Sequence, residues 1–354
     1  MEQNGIKKRN IGLDLFRIAL AILIFMFHSN MHFDCHYGIL ERFVKMGAIA
    51  MTGFFMLSGY SLSISNKSVL TDINSLKTFF YKRFVSIFPL YYFVAIVYII
   101  LFNKETWQSL LLLLPIEMLC LQSCFSSLFS ISHNGGTWFI SCLVFCYLVF
   151  PFVQWIYTRI SVKHKYFCGG VMVAILFLAP LVQRHFQLAS IYTNPFFRIL
   201  EFCIGIIIAQ INNSDTKISL SKFFKSKLVL LFVVVIMISG VSLSYDFINT
   251  AGRDYMMMNW VSLPCFILIF LLLGNVEFRN IKNSKIILYC SNLSYSFFLA
   301  QFFIWPISYK TTQYLNSNTN IGNIVVSFLI CMGVSIFLHE FVEKPSAKLL
   351  SKTK

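Results

Sequence analysis

Charged residues, and acidic ones above all, are scarce in this chain. Only 12% of its 354 residues are charged, and 14 Asp and Glu stand against 29 Lys and Arg. Hydrophobic residues make up 57% and include 39 Phe, far more than a soluble core of this size needs. The composition therefore predicts an all-α, polytopic integral membrane helical bundle whose lipid bilayer is an obligatory partner.

Other features of soluble and secreted proteins are missing too. No internal repeat, Gly/Ser linker or large soluble insertion is visible, so residues 1–354 are predicted to form a single integral-membrane domain. The basic cluster at 7–9 precedes a full span without a small-residue cleavage site, which argues against a cleaved signal peptide. The net charge of +15 could indicate nucleic acid, but the bases sit between apolar runs. The positive-inside rule explains that spacing better, so no nucleic-acid partner is expected.

Zinc-ligand spacing is absent among the ten cysteines, and no metal site is expected. Seven of the ten lie in apolar runs, where cysteine acts as a small hydrophobe. Cys35, Cys120 and Cys124 fall in segments predicted to lie on the outer side of the membrane. One disulfide among these three is an open alternative.

The apolar runs predict about ten membrane spans. A short run at 107–121, which holds Pro115 and Glu117, is predicted to stay on the outer side without crossing. The inner segments then carry 21 of the 29 Lys and Arg and both termini are cytoplasmic, as the positive-inside rule requires. The predicted spans are 11–30, 46–64, 84–102, 137–157, 166–183, 197–211, 228–245, 257–275, 286–306 and 321–339.

The first span contains three polar residues that a membrane helix normally avoids. A charge near the bilayer centre costs about 3 kcal/mol or more, so such residues usually face a protein-lined cavity. Arg17 and His28 are eleven residues apart, which places them on one helix face about 16 Å from each other. Asp14 lies one turn before Arg17 and can pair with it. The imidazole of His28 is the best candidate base in the chain because it titrates near neutral pH.

Further candidates lie in later spans, and each has a purely structural alternative. Ser58 and Gly59 favour close helix packing. Lys82 and Arg83 stand at a membrane edge, where basic residues often only fix topology. Arg198 and Glu201 are spaced as an ion pair, which in membranes is more often structural than catalytic.

One tryptophan, two histidines and one glutamate are further positions of interest. Trp138 suits either an interfacial aromatic belt or stacking on a sugar ring. His133 is expected in an exposed loop with no matching partner, and His339 and Glu340 are expected to be interfacial.

Several separated segments resemble, in order, the acyltransferase-3 family of membrane-bound acyltransferases, which includes O-antigen and other surface-glycan O-acetylases. Each segment is weak alone, but together they cover nearly the whole chain. They are the Arg-x10-His of the first span (Arg17, His28), FFMLSGYSL (54–62), the basic stretch Lys82-Arg83 before Pro89, GGTWFIS (135–141), NPFFRILEFCIG (194–205), LSYSFFLAQF (293–302) and FVEKP (341–345).

The resemblance implies a multi-pass protein of the bacterial inner membrane. It would move an acetyl group from cytoplasmic acetyl-CoA, its substrate, to a hydroxyl of a surface polysaccharide or lipid-linked sugar such as lipopolysaccharide O-antigen or capsule, with no bound cofactor. His28 would be the catalytic base or acyl relay. The donor would be held by Asp14, Arg17, Lys82 and Arg83, with support or acceptor contacts from Ser58, Gly59, Trp138, Arg198, Glu201, Tyr295 and Glu343.

The chain departs from the family pattern at two positions. Ser86 stands where a second arginine is usual, which puts part of the donor contact in doubt. Gln301 stands where a histidine is common, which puts in doubt any role of that side chain.

Two other classes of membrane protein fit parts of the pattern. A transporter or flippase would also use charges within the membrane, but no inverted repeat is visible. An envelope-glycan polymerase would be polytopic and basic, but those enzymes normally use a larger outer loop than 103–136.

Overall fold

The computed structural model describes residues 10–66, 69–102, 106–125, 137–187, 191–213, 226–250, 255–276 and 284–352. Every regular element in these ranges is helical, which confirms the predicted fold class. The helices are α1 (Ile11–Phe33), α2 (Glu41–Lys45), α3 (Ala50–Ser65), α4 (Ile73–Phe102), α5 (Trp107–Met118), α6 (Trp138–Arg159), α7 (Val162–His185), α8 (Pro195–Asn213), α9 (Lys227–Thr250), α10 (Asn259–Asn275), α11 (Ser284–Tyr314), α12 (Asn320–Leu338) and α13 (Lys344–Lys352).

Within the described ranges, ten helical segments are long and apolar enough to cross a membrane, as predicted. Contacts between their ends agree with this count. The Asn10 side chain, at the start of α1, donates to the carbonyl of Leu273 at the end of α10, 2.7 Å away. At the opposite end of the bundle, the backbone of His36 and the side chain of Asn320 exchange two hydrogen bonds of 2.7 Å. The cytoplasmic location of the termini stays a prediction.

Helix α5 is the short apolar segment for which no crossing is predicted. With 12 residues it is too short to span, and it runs back alongside the last part of α4. Tyr91 and Tyr92 donate hydrogen bonds of 2.8 and 2.6 Å to the carbonyls of Glu117 and Met118 at its end. After α5, the Gln122 side chain donates to the carbonyl of Thr137 over 3.3 Å, so the end of α5 lies beside the start of α6.

Helix α4 begins earlier than the predicted span at 84. Asp72 caps it by accepting a hydrogen bond of 2.8 Å from the backbone N–H of Ser75, and bonds from Ser75 hold the pKa of the Asp72 carboxyl below its usual value. Since nothing between this cap and Pro89 breaks a helix, Lys82 and Arg83 lie on a helix and not in a loop. Neighbouring residues on a helix point about 100° apart, so Lys82 and Arg83 have different surroundings.

Two apolar clusters make up the core. One joins α3, α6, α8, α9 and α10, and the other joins α4, α11 and α12, with α1 contributing to both. In the first cluster α3 and α8 meet backbone to backbone, because a Cβ on Gly59 would overlap the carbonyl of Phe202 and one on Gly205 would overlap the carbonyl of Met56. The close approach predicted from Ser58-Gly59 is therefore confirmed.

Helices α12 and α13 form one continuous rod joined by a π-helical turn at His339–Glu343. Such turns are rare and occur frequently at functional sites. This one lies beside α4 and α11.

Candidate active site

Helix α11 packs along α1 and supplies a polar partner at each end of the face that carries Arg17 and His28. At the α1 start, Ser291 donates to Asp14 at 2.7 Å and accepts from Arg17 at 3.2 Å. Asp14 and Arg17 also approach each other to 3.9 Å, which is the predicted pairing. Ser291 therefore joins the predicted ion pair to the neighbouring helix.

At the other end of the same face, His28 Nδ1 lies 2.6 Å from Gln301 Oε1. Ser291 and Gln301 are ten residues apart on α11, a rise of about 15 Å, which matches the roughly 16 Å between Arg17 and His28 on α1. Both α1 residues thus face α11, and the predicted shared face is confirmed.

A cavity of about 410 Å³ opens beside this helix pair, within the range of small-molecule sites. Its wall includes five residues that the sequence predicted for the site, and one, His339, that it did not. The five predicted residues are Arg17, Ser58, Arg83, Tyr295 and Glu343.

Arg83 reaches the cavity and its neighbour on α4 does not. The guanidinium of Arg83 lies 5.8 Å from the ring centres of both Phe79 and Tyr147, and its Nε is buried without a hydrogen-bond partner among the described residues. Lys82 is exposed and is not part of the cavity wall. The predicted pair of basic residues is therefore divided, with one side chain in the cavity and one outside it.

His339 is buried in the cavity wall, whereas the sequence indicated an interfacial residue. Its Nδ1 donates to Glu343 Oε2 over 2.7 Å, and the same oxygen accepts from Ser296 over 2.7 Å. His339 Nε2 is buried and has no hydrogen-bond partner among the described residues. The four-residue spacing of His339 and Glu343 is the signal that was available in the sequence, but the π turn that places both in the wall was not.

Glu340 faces away from this pair. It accepts hydrogen bonds from Lys344 and Tyr289 over 2.6 and 2.9 Å, and its side chain is 34% exposed. Glu340 is thus partly exposed, unlike His339, and its interfacial location stays a prediction.

Arg198 and Glu201 form the predicted pair, but they lie apart from the cavity with neither side chain exposed. Arg198 Nη1 donates to both oxygens of Glu201 over 2.9 and 2.8 Å, and Glu201 also accepts from Thr52 over 2.8 Å. The rings of Trp138 and Tyr192 lie 5.3 and 4.6 Å from the guanidinium. Trp138 is therefore buried against an arginine and not placed as an interfacial belt residue.

Phe298 lies between the cavity and His28. It lines the cavity, its ring centre is 6.3 Å from that of His28, and it packs edge to face on Phe139 at 4.2 Å. His28 itself does not line the cavity. The candidate base is thus separated from the cavity by one aromatic side chain.

The remaining predictions concern cysteines, metal and one loop. Cys35, Cys120 and Cys124 are free thiols, so the disulfide alternative is not realised in this structure. No group of three or more metal-ligating side chains occurs among the described residues. His133 lies outside the described residues.

Comparison with known proteins relates the chain to acyltransferases. The family model described as "Acyltransferase domain" (acyltransferase-3) matches residues 10–340. Acyltransferase MdmB of Streptomyces mycarofaciens is 30% identical over 196 residues, 49% of this chain and 48% of that protein, so the match spans about half the length of this curated relative. No solved structure gives a significant match. Because the family match extends over nearly the whole chain, the protein belongs to the acyltransferase-3 family.

Proposed function

We propose that this protein is an O-acetyltransferase of the bacterial inner membrane, which moves an acetyl group from cytoplasmic acetyl-CoA to a hydroxyl of a surface polysaccharide or lipid-linked sugar. The observation that carries the proposal is the cavity lined by Arg17, Arg83 and Phe298, whose ring centre lies 6.3 Å from that of His28. Family membership supports the reaction class. The acetyl donor and the glycan acceptor follow from the resemblance of the motifs.

The cavity suits the phosphate-bearing donor. A guanidinium offers a planar fork of donors that matches phosphate oxygens. Arg17 and Arg83 approach the cavity from α1 and α4, and Ser58 and Tyr295 add polar groups to its wall. The extended arm of the donor would span the roughly 16 Å between Arg17 and the level of His28.

His28 would accept the proton of the acceptor hydroxyl. The hydroxyl oxygen then bonds to the thioester carbonyl carbon, the carbon–sulfur bond breaks, and the sulfur leaves as the thiolate of CoA. A transient acyl group on His28 is the alternative route, in which the imidazole nitrogen attacks first and the sugar hydroxyl second. In either route the imidazole needs one unprotonated nitrogen facing the reacting group.

The test is mass spectrometry of surface and lipid-linked glycans from cells with the wild-type chain, with His28→Ala or with no copy. We expect one acetyl mass, about 42 Da, with the wild-type chain and its loss with His28→Ala at unchanged membrane abundance, since a general base typically contributes about 10²–10⁴-fold.

The matched control is His164→Ala, because His164 is exposed and bonded to Ser161 outside the cavity. This variant should acetylate normally. Equal acetylation by wild type and His28→Ala would exclude the assigned base. Glycans of equal mass with and without the gene would exclude a glycan acceptor.

A further inference from the structure

We propose that Gln301 is a positioning residue that holds the His28 imidazole in the tautomer with its proton on Nδ1 and its free electron pair on Nε2. The contact that carries this inference is the 2.6 Å hydrogen bond between His28 Nδ1 and Gln301 Oε1. The inference rests on the proposed role of His28 as base.

The orientation of the Gln301 amide decides which atom donates. Gln301 Nε2 lies 3.3 Å from the carbonyl oxygen of Phe297, one helical turn earlier, and a carbonyl oxygen can only accept. The amide nitrogen must therefore face Phe297. The reversed amide would set two acceptor oxygens against each other.

With the amide fixed this way, its oxygen faces the imidazole. An amide oxygen accepts and never donates, so His28 Nδ1 must carry the proton in this hydrogen bond. In the neutral ring Nε2 is then unprotonated. Gln301 thus selects the form in which His28 can remove a proton or attack an acyl group.

The Gln301 side chain is itself well fixed. It is 4% exposed, on the stretch of α11 that packs against α1. The titratable neighbour that interacts electrostatically with His28 is His32, one turn further on α1, with ring centres 5.9 Å apart. Gln301 contributes no charge, so it fixes the tautomer without the extra stabilisation that a carboxylate would give to a protonated ring.

The cavity wall contains the contrasting case. His339 donates from the same nitrogen, Nδ1, to the carboxylate of Glu343 over 2.7 Å. A charged acceptor stabilises the imidazolium, whereas a neutral amide does so far less. The two histidines therefore have the same tautomer-fixing contact with acceptors of different charge.

The experiment compares Gln301→Leu, Gln301→Glu and the control Gln313→Leu, which changes an exposed glutamine of the same helix. Each purified protein is assayed with acetyl-CoA across pH, and kcat and the KM for acetyl-CoA are determined per mole of folded protein. Gln301→Leu should lower kcat about tenfold or more with an unchanged KM, as loss of a histidine-orienting partner does at metal sites.

Gln301→Glu should keep the tautomer but favour the protonated ring. The rising limb of the pH profile of kcat for Gln301→Glu should therefore move to higher pH, while the maximal kcat stays near that of the wild type. Gln313→Leu should match the wild type in kcat, in KM and in the pH profile of kcat.

If Gln301→Leu keeps the kcat and the pH profile of the wild type, the inference is wrong. The proposed function still stands in that case, provided that His28→Ala is inactive. If Gln301→Leu does not fold, Gln301→Glu decides, and an unmoved pH limb overturns the inference. Full activity of His28→Ala would remove the proposed function as well.

Discussion

Two arginine–carboxylate pairs with the same three-residue spacing lie in different surroundings. Arg198 and Glu201 are completely buried, 2.8 Å apart, among aromatic rings. Arg17 and Asp14 approach only to 3.9 Å, and the Arg17 side chain is 27% exposed and lines the cavity. The first pair is closed to any ligand, whereas the second leaves its guanidinium accessible to one.

The spacing of an arginine and a carboxylate along a helix therefore does not by itself assign a role to the pair. Both pairs satisfy the helical rule for neighbours. What separates them is the partner helix, because α8 meets α3 backbone to backbone while α1 borders a cavity beside α11. We expect the buried pair of Arg198 and Glu201 to support folding, and the pair of Arg17 and Asp14 beside the cavity to support catalysis.

The largest effect is expected from Arg198→Leu. This change leaves Glu201 buried without its cation, which costs about 3–5 kcal/mol. We expect little folded protein in the membrane, measured as the monodisperse fraction after detergent extraction.

The double variant Arg198→Met with Glu201→Leu provides the control, because removing both charges removes the unpaired one. Its folded yield should exceed that of Arg198→Leu. A normal yield of Arg198→Leu would show that the buried pair does not support the fold.

Arg17→Gln should leave the folded yield near that of the wild type and remove most activity. A hydrogen bond to a charged group contributes about 1.5–3 kcal/mol, so kcat/KM for acetyl-CoA should fall roughly 10- to 150-fold. The assay is acetyl transfer per mole of extracted protein. A collapse of the yield would instead place Arg17 with the structural pair.

Arg83→Gln should raise the KM for acetyl-CoA by about tenfold, since one phosphate contact is lost while the chemistry near His28 is not touched. Lys82→Gln is the adjacent control, because Lys82 is exposed outside the cavity. Its KM should stay within about twofold of the wild type, as for a surface charge. Equal KM changes in the two variants would show that Arg83 contributes no more to donor binding than Lys82 does, in spite of its place in the cavity wall.

Phe298→Ala should have the smallest effect on the natural reaction and change the acyl preference. Removing the ring enlarges the cavity next to His28 and makes room for a longer acyl chain. The rate with butyryl-CoA relative to acetyl-CoA should therefore rise several-fold, because the larger pocket can contact the longer chain in the transition state. Phe152→Ala, at an exposed position on α6, should leave this ratio unchanged. An unchanged ratio in Phe298→Ala would place the acyl group elsewhere.

Much of the α1 face was predictable because Asp14, Arg17 and His28 stand on one helix, where periodicity fixes relative direction. The Arg198–Glu201 pair was predictable for the same reason. Residues whose surroundings depend on other helices were not. The burial of Trp138 against Arg198 requires α6 and α8 to be placed first, and no spacing within one segment contains that information.

The start of α4 and the position of His339 were missed for local reasons. Apolar length predicts a span but does not mark where a helix extends beyond the bilayer, so α4, capped by Asp72, begins eleven residues before the predicted span at 84. An α-helical period likewise gives the wrong direction for residues in a π turn, since that turn closes over five residues instead of four.

The π turn at His339–Glu343 has a consequence for how the cavity wall can vary. It contains one residue more than an α-helical turn, so α12 and α13 both continue as regular helices on either side of it. Removing a single residue from this turn would convert it into an α-helical turn and leave the side chains of α12 and α13 in their present directions. The hydrogen-bonded pair of His339 and Glu343 lies within the turn that would shorten, so deletion of one codon there would break the pair while both flanking helices persist.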